Sequence, residues 1–277
     1  MIRRRETAGL WLITQHDHAL LSGQLARQVG NAQFARPDPL EPTLLGIANH
    51  DCGWPLHDDR PTLSPAKLPL DVFETPRSIS HKVWIEGARR AAAIDPYAGL
   101  LVAIHALSLS AGSISTNQPS RFDVQQMRQQ FDINKLQHQA IELLERLRGQ
   151  LGLRVDKPLR LGIADSWTDP EEDKLKFNFR LLQAMDIISL AICCTTPPES
   201  MTHPLHTRPG SVTTKLQLHR PTPDVLLVKP WPFGAPSVTV DMPYKIAPDR
   251  AYQSDDELRV VYASAPAGTL NVTLRPA

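Results

Sequence analysis

The chain reads as mainly helical and α+β overall: a helical body, a smaller strand-rich C-terminal part, and an N-terminal β-hairpin expected to pair with that part. Three observations predict this. Between residues 16 and 197, apolar residues recur at helical spacing in one segment after another. After Thr195-Thr196-Pro197-Pro198 the pattern changes to short alternating runs separated by Pro and Gly. Ahead of both, Ile2 and then Leu10, Leu12 and Ile13 flank Thr7-Ala8-Gly9, a hairpin pattern. The expected division is therefore 1–15, 16–197 and 198–277.

Asp17 is placed to cap a helix from about His18 to Val29, with Leu20, Leu21, Leu25 and Val29 on one face. The apolar run Leu44-Leu45-Gly46-Ile47-Ala48 predicts a second, buried helix that carries His50 and stops at Gly53. Residues 55–76 are Pro-rich and read as a long surface loop. Ile79, Val83, Ala88 and Ala92 predict a helix over 77–93, broken by Asp95-Pro96. Pro96 suits the first turn of the next helix, about 96–110, which is apolar all round and so belongs inside the core. A loop at 111–121 and an amphipathic helix over 123–149, broken near Asp132, follow; 170–194 is the last strong helix. Strands are expected at 213–218, 225–228, 238–240 and 269–274. Ser254-Asp255-Asp256-Glu257 has capping-box spacing, which predicts a short helix over 255–264.

The totals exclude several classes. A formal net charge of +1 over 277 residues gives no field for duplex nucleic acid or an anionic membrane. No apolar stretch reaches the roughly 18 residues of a membrane span. Met1-Ile2-Arg3-Arg4-Arg5 is not followed by an uninterrupted apolar segment, so no signal peptide is expected. Three cysteines, two of them adjacent, make no disulfide framework, and a reducing cytoplasm is the simplest reading. No Walker sequence, Gly-x-Gly-x-x-Gly fingerprint or Gly-x-Ser-x-Gly elbow is present.

The helical region instead carries a series of metal-ligand residue types. His18 opens the first helix, His50-Asp51 closes the second, His81 and His105 lie in the next two, and Asp186 lies in Met185-Asp186-Ile187-Ile188-Ser189. Singly, His18 and His81 read equally well as exposed helix residues, and His105 as a satisfied core histidine. Asp186 is harder to dismiss. An unpaired buried carboxylate costs several kcal/mol and needs an Arg, a Lys or a metal.

The order His, His-Asp, His, His, Asp resembles the HD superfamily of metal-dependent phosphohydrolases, over about residues 15–194. His18-Ala19-Leu20-Leu21 is similar to its first helix histidine. His50-Asp51-Cys52-Gly53 is similar to its namesake pair. His81 with Gly87, then His105, resembles the subgroup that cleaves cyclic di-GMP, and Met185-Asp186-Ile187 resembles the closing aspartate motif. The chain departs from that subgroup at Trp54, where a lysine is usual, at His105-Ala106, where two histidines are usual, and in lacking Gly-Tyr-Pro. The whole chain also resembles a bacterial family of uncharacterised proteins of similar length.

The resemblance implies an HD-like helical bundle and divalent metal ions, two in number. Iron or manganese is favoured, with zinc, nickel or magnesium as alternatives. His18, His50, Asp51 and Asp186 would hold one ion. His81 and His105, with Asp51 bridging, would hold a second about 3.5–4 Å away. Asp51 and His16 are the implied catalytic residues, His16 as proton shuttle or as substitute ligand for His18. Lys82 and Arg89, with Arg90, are candidate phosphate contacts, although a solvated basic face is the favoured explanation of them. His57 and Asp58 are candidates to cap the site, whereas His138, His203, His206 and His219 are expected at the surface. The implied activity is hydrolysis of a phosphoester or nucleotide by a metal-activated water. A di-iron oxygenase and a non-catalytic metal or ligand sensor are the alternatives. The expected partner is a small phosphorylated substrate, with a homodimer left open.

Overall fold

A computed structural model describes residues 1–110, 135–153, 170–195 and 203–277. The expected loop at 111–121, the break near Asp132 and the boundary at 197–198 lie outside the described residues.

β1 (Ile2–Glu6) and β2 (Gly9–Ile13) form the expected hairpin, with Glu6 opposite Gly9. Gly9 turns the chain at φ 131°, and a Cβ there would sit 2.6 Å from the Ala247 carbonyl oxygen. β2 then pairs antiparallel with β6 (Val238–Ala247), Trp11 lying opposite Ile246. β3 (His203–His206), β4 (Thr213–Thr222), β5 (Val225–Lys229) and β7 (Ala267–Pro276) complete one seven-stranded sheet in the order β1-β2-β6-β7-β5-β4-β3. Among the described residues, only the β5–β7 pair is parallel.

This corrects the expected fold class. The strands are not a small C-terminal part of a mainly helical chain but a large, curled, mixed sheet, beside eight helices among the described residues. The strands run longer than their apolar runs suggest. Lys215, Gln217 and His219 of β4, and Thr239 and Asp241 of β6, face solvent between buried Leu216, Leu218, Val240 and Met242.

β1 is one edge of the sheet and β3 the other. The Arg3 N–H donates to Asp71 Oδ2 at 2.8 Å and the Arg5 N–H to Thr195 Oγ1 at 2.9 Å.

α1 (Gln15–Arg27) begins earlier than expected. Thr14, not Asp17, is its N-cap: Thr14 Oγ1 accepts from Asp17 N at 3.0 Å and donates to Asp17 Oδ2 at 2.6 Å. His16 and His18 therefore lie in the first turn. α2 (Leu40–Ala48) ends before the His-Asp pair, so His50 stands in the turn after the helix rather than within it. Gly53 serves a different purpose from a helix stop. A Cβ there would run into the Val83 carbonyl oxygen of α4 (Arg77–Ile94), so its absence lets α4 lie directly on the 50–53 turn.

The Pro-rich stretch contains the short α3 (Pro55–Asp58) and a 3-10 turn at Val72–Glu74. Asp58 is a fastener here: Oδ1 accepts from the Met1 ammonium at 2.6 Å and Oδ2 from Gln15 N at 2.7 Å, with both partners of the ion pair buried.

α5 (Pro96–Ser110) is buried on every side, as its composition requires, and Asp95 caps it by accepting from Tyr97 N and Ala98 N. α6 (Lys135–Gln150) and α7 (Pro170–Cys193) follow. α8 (Asp255–Ser264) has the expected capping box, with Ser254 Oγ accepting from Glu257 N at 3.2 Å. One apolar cluster runs through helices and sheet alike, from Ile13, Leu101 and Ile188 to Val228, Val240 and Val272. The C-terminal carbonyls of α7 are held from the sheet: Arg4 reaches Ile192 O at 2.8 Å, and Arg220 reaches Ala191 O at 3.0 Å and Cys194 O at 2.9 Å. That clamp fixes the helix carrying Asp186.

Candidate metal centre

Four separate segments deliver polar side chains to one buried point: His18 from α1, His50 and Asp51 from the turn after α2, His105 from α5 and Asp186 from α7. His18 Nε2 lies 2.9 Å from Asp186 Oδ1 and 4.0 Å from Asp51 Oδ2. His50 Nε2 is 3.6 Å from both Asp51 Oδ2 and Asp186 Oδ1, and His105 Nε2 is 3.6 Å from Asp186 Oδ2. Two overlapping sets, His18-His50-Asp51 and His50-His105-Asp186, each keep their ligand atoms within 4.8 Å of one another.

These spacings fit metal coordination. Donors about 2.1 Å from one ion stand roughly 3.0 Å apart in cis positions and about 4.2 Å apart in trans positions. The 2.9–4.0 Å separations fall in that span. Except for the His18–Asp186 contact, they are too long for hydrogen bonds.

The ring orientation of His50 points the same way. Its Nδ1 is 2.8 Å from Ile47 O, and a carbonyl can only accept, so Nδ1 carries the hydrogen in the neutral ring and Nε2 keeps the lone pair. Nε2 is buried and has no hydrogen-bond partner. A buried acceptor left unmet beside two carboxylates is costly in a metal-free site and natural in a metal-binding one. The cluster could hold a metal ion.

The electrostatics suit a cation at this point. Burial pulls the His50 imidazole down, but the negative charges of Asp51 and Asp186 lift it to about 9. Burial also pushes at Asp186, and the His18 hydrogen bond with the His50 charge holds that carboxyl well below the usual range. Burial dominates at Asp51 and raises it, against His50 and His18. The two acids thus favour positive charge at His50 Nε2, where a proton and a metal ion compete for the same lone pair.

The sequence also nominated residues that are not gathered here. His81 is half-buried on α4, beside Trp84, and belongs to neither ligand set; burial, then Arg77, lowers its pKa. His16 is half-buried, and its Nδ1 has no hydrogen-bond partner. Lys82 and Arg89 face solvent, and Arg90 bonds Glu86 and Cys52 O. Asp58 is occupied with Met1 and Gln15, while His57 packs edge-on against Trp54. The Cys52 thiol donates to Gly87 O, and burial pushes its pKa up to about 11, so it is no ready nucleophile.

His206 corrects a sequence expectation. It was assigned to the surface but is buried, with Nδ1 2.6 Å from Ser211 O, because β3 packs against α7. His138 and His219 are exposed as expected, and the His203 side chain lies outside the described residues.

Sequence reasoning missed three supporting residues. Trp54 Nε1 donates to Asp51 Oδ1 at 3.2 Å, leaving Oδ2 toward the histidines. Ser189 Oγ is 2.6 Å from His18 Nδ1, and Ser22 Oγ is 2.9 Å from Ser189 Oγ. Their only sequence signal is position: Trp54 is three residues after Asp51, Ser189 three after Asp186, and Ser22 four after His18.

No curated protein and no solved structure matches the chain. One family profile does match, over residues 1–249, a span that ends before α8 and the central strand β7. With that span covering most of its 277 residues, the chain belongs to DUF3891, a family of proteins of unknown function.

Proposed function

We propose that the chain is a metal-dependent phosphohydrolase of HD type, acting on a phosphoester or nucleotide through a metal-activated water. The observation that carries this reading is the convergence of three imidazoles and two carboxylates on one buried point, with His50 Nε2 unsatisfied among them. Bound there, a divalent ion, iron or manganese by its mixed ligands, would acidify a coordinated water and draw charge from a phosphoryl oxygen. His18, His50 and Asp51, or His50, His105 and Asp186, would hold the ion. Asp51 would orient that water through Oδ2, and His16 would hold or pass its proton at Nδ1. The proposal is for one ion. A second would need His81, which stands outside both ligand sets.

Burial of the ligands, with Lys82 and Arg89 turned to solvent, favours a second reading, a non-catalytic metal-binding protein. One experiment separates the two. Metal content is measured on the purified wild type, His50→Ala and Asp186→Ala, together with manganese-dependent hydrolysis of a generic phosphodiester. Near-stoichiometric metal and turnover, both lost in the variants, support the hydrolase. Bound metal without turnover on a phosphoester panel supports the second reading. Metal content unchanged by both substitutions refutes the site.

A further inference from the structure

We propose that Ser189 is a positioning residue that sets which ring nitrogen of His18 faces the metal centre, with Ser22 as its own support. This rests on the metal-binding reading above and adds to it a specific outer contact.

For His18 Nε2 to act as ligand it must present a lone pair, so Nδ1 must carry the ring hydrogen and needs an acceptor. Ser189 Oγ lies 2.6 Å from Nδ1. Ser189 has one hydrogen of its own, and the Asp186 carbonyl, 2.8 Å away, can only accept it. With an ion on Nε2 in place of the hydrogen that Nε2 otherwise gives Asp186 Oδ1 at 2.9 Å, Nδ1 keeps the ring hydrogen, and Ser189 Oγ, its own hydrogen turned to Asp186 O, accepts it. Ser22 Oγ, 2.9 Å from Ser189 Oγ and 3.1 Å from His18 O, adds a third hydroxyl contact across the α1–α7 contact. Ser22 and Ser189 are fully buried, so no solvent competes.

His50 solves the same problem with the Ile47 carbonyl, a main-chain group that no substitution removes. His18 depends on a side chain, and that makes its orientation testable. The bland alternative is that Ser189 merely bonds back to its own helix, as Ser108 does to His105 O and Ser110 to Leu107 O. In that case its hydroxyl is irrelevant to the ion.

The test is calorimetric titration of Mn(II) into the metal-free full chain, for wild type, Ser189→Ala, Ser189→Thr and His50→Ala. The expected result is that Ser189→Ala binds about 10- to 100-fold more weakly, in keeping with loss of an outer partner of a ligating histidine. Ser189→Thr, which keeps the hydroxyl, recovers most of that loss, and the metal-free Tm of the two variants agrees. Ser189→Ala binding like wild type while His50→Ala loses the ion overturns the proposal and leaves the metal reading standing. Equal weakening by Ala and Thr also overturns it, in favour of packing alone. A wild type that binds no Mn(II) ends both. Should Ser189→Ala fail to fold, Ser22→Ala is read instead: a smaller loss in the same direction supports the proposal, and unchanged affinity refutes it.

Discussion

Replacing His50 by alanine tests the metal centre most directly, and its size can be worked out in advance. His50 is shared by both ligand sets and its Nε2 has no other partner. Structural zinc sites bind with about 10–16 kcal/mol across four ligands, roughly 3–4 kcal/mol each, so losing one weakens binding on the order of 100- to 1,000-fold. The readout is the shift in Tm on adding metal. At a metal concentration about 100 times the wild-type Kd, binding stabilises the wild type by about 2.7 kcal/mol. At roughly 2 °C per kcal/mol for a chain of this size, the wild-type Tm rises by about 5 °C. The same concentration is at or below the variant's Kd, so the variant gains at most about 0.4 kcal/mol and moves by less than about 1 °C. Each protein is compared with its own metal-free form, which removes any cost of the substitution to the fold. Equal shifts in the two proteins refute His50 as a ligand.

Trp54→Phe keeps the buried ring and removes the donor to Asp51 Oδ1; metal affinity should fall about tenfold, as for other outer partners of ligands, with little change in metal-free Tm, and an unchanged Kd by titration counts against it. Asp58→Ala breaks the buried pair with the Met1 ammonium and frees Gln15 N; urea denaturation should show a loss of about 3 kcal/mol, and metal bound per chain should stay as in wild type. His206 is the pH probe. Burial lowers its pKa in the folded chain, so the unfolded chain takes up more protons as pH falls through about 6.5, and stability declines on the acid side. His206→Gln should flatten that decline in denaturation curves between about pH 7 and 5; an identical slope in the variant refutes the assignment.

The parts of this fold that could be read from the residues are those where one physical rule acts alone. An apolar surface on every side forces α5 into the core, and Asp95-Pro96 starts it where it does. His105 and Asp186 stood out because a polar side chain inside an apolar helix must be answered by something. Where two rules compete, the residues were ambiguous. Thr14 and Asp17 are both good caps, and only the chain's path off β2 selects Thr14. Gly53 reads as a helix stop but is demanded by α4 passing overhead. The size of the sheet was hidden because half of each exposed strand is polar, and because β2 meets β6 across more than two hundred residues that no local pattern connects. His81 sits on a helix with one wet face, where a ligand and a surface residue look alike.

The two side chains that occupy the outward donors of β1 have a bearing on self-association. A bare outer strand invites a neighbour to extend the array by main-chain pairing, the usual first step toward ribbons and fibrils. Here Asp71 and Thr195 already fill the positions such a visitor would need. A second copy of this chain that docked beside β1 would first have to dislodge them. A dimer built by strand pairing along β1 is therefore not expected, and growth of the sheet from this flank is blocked by the protein's own loops.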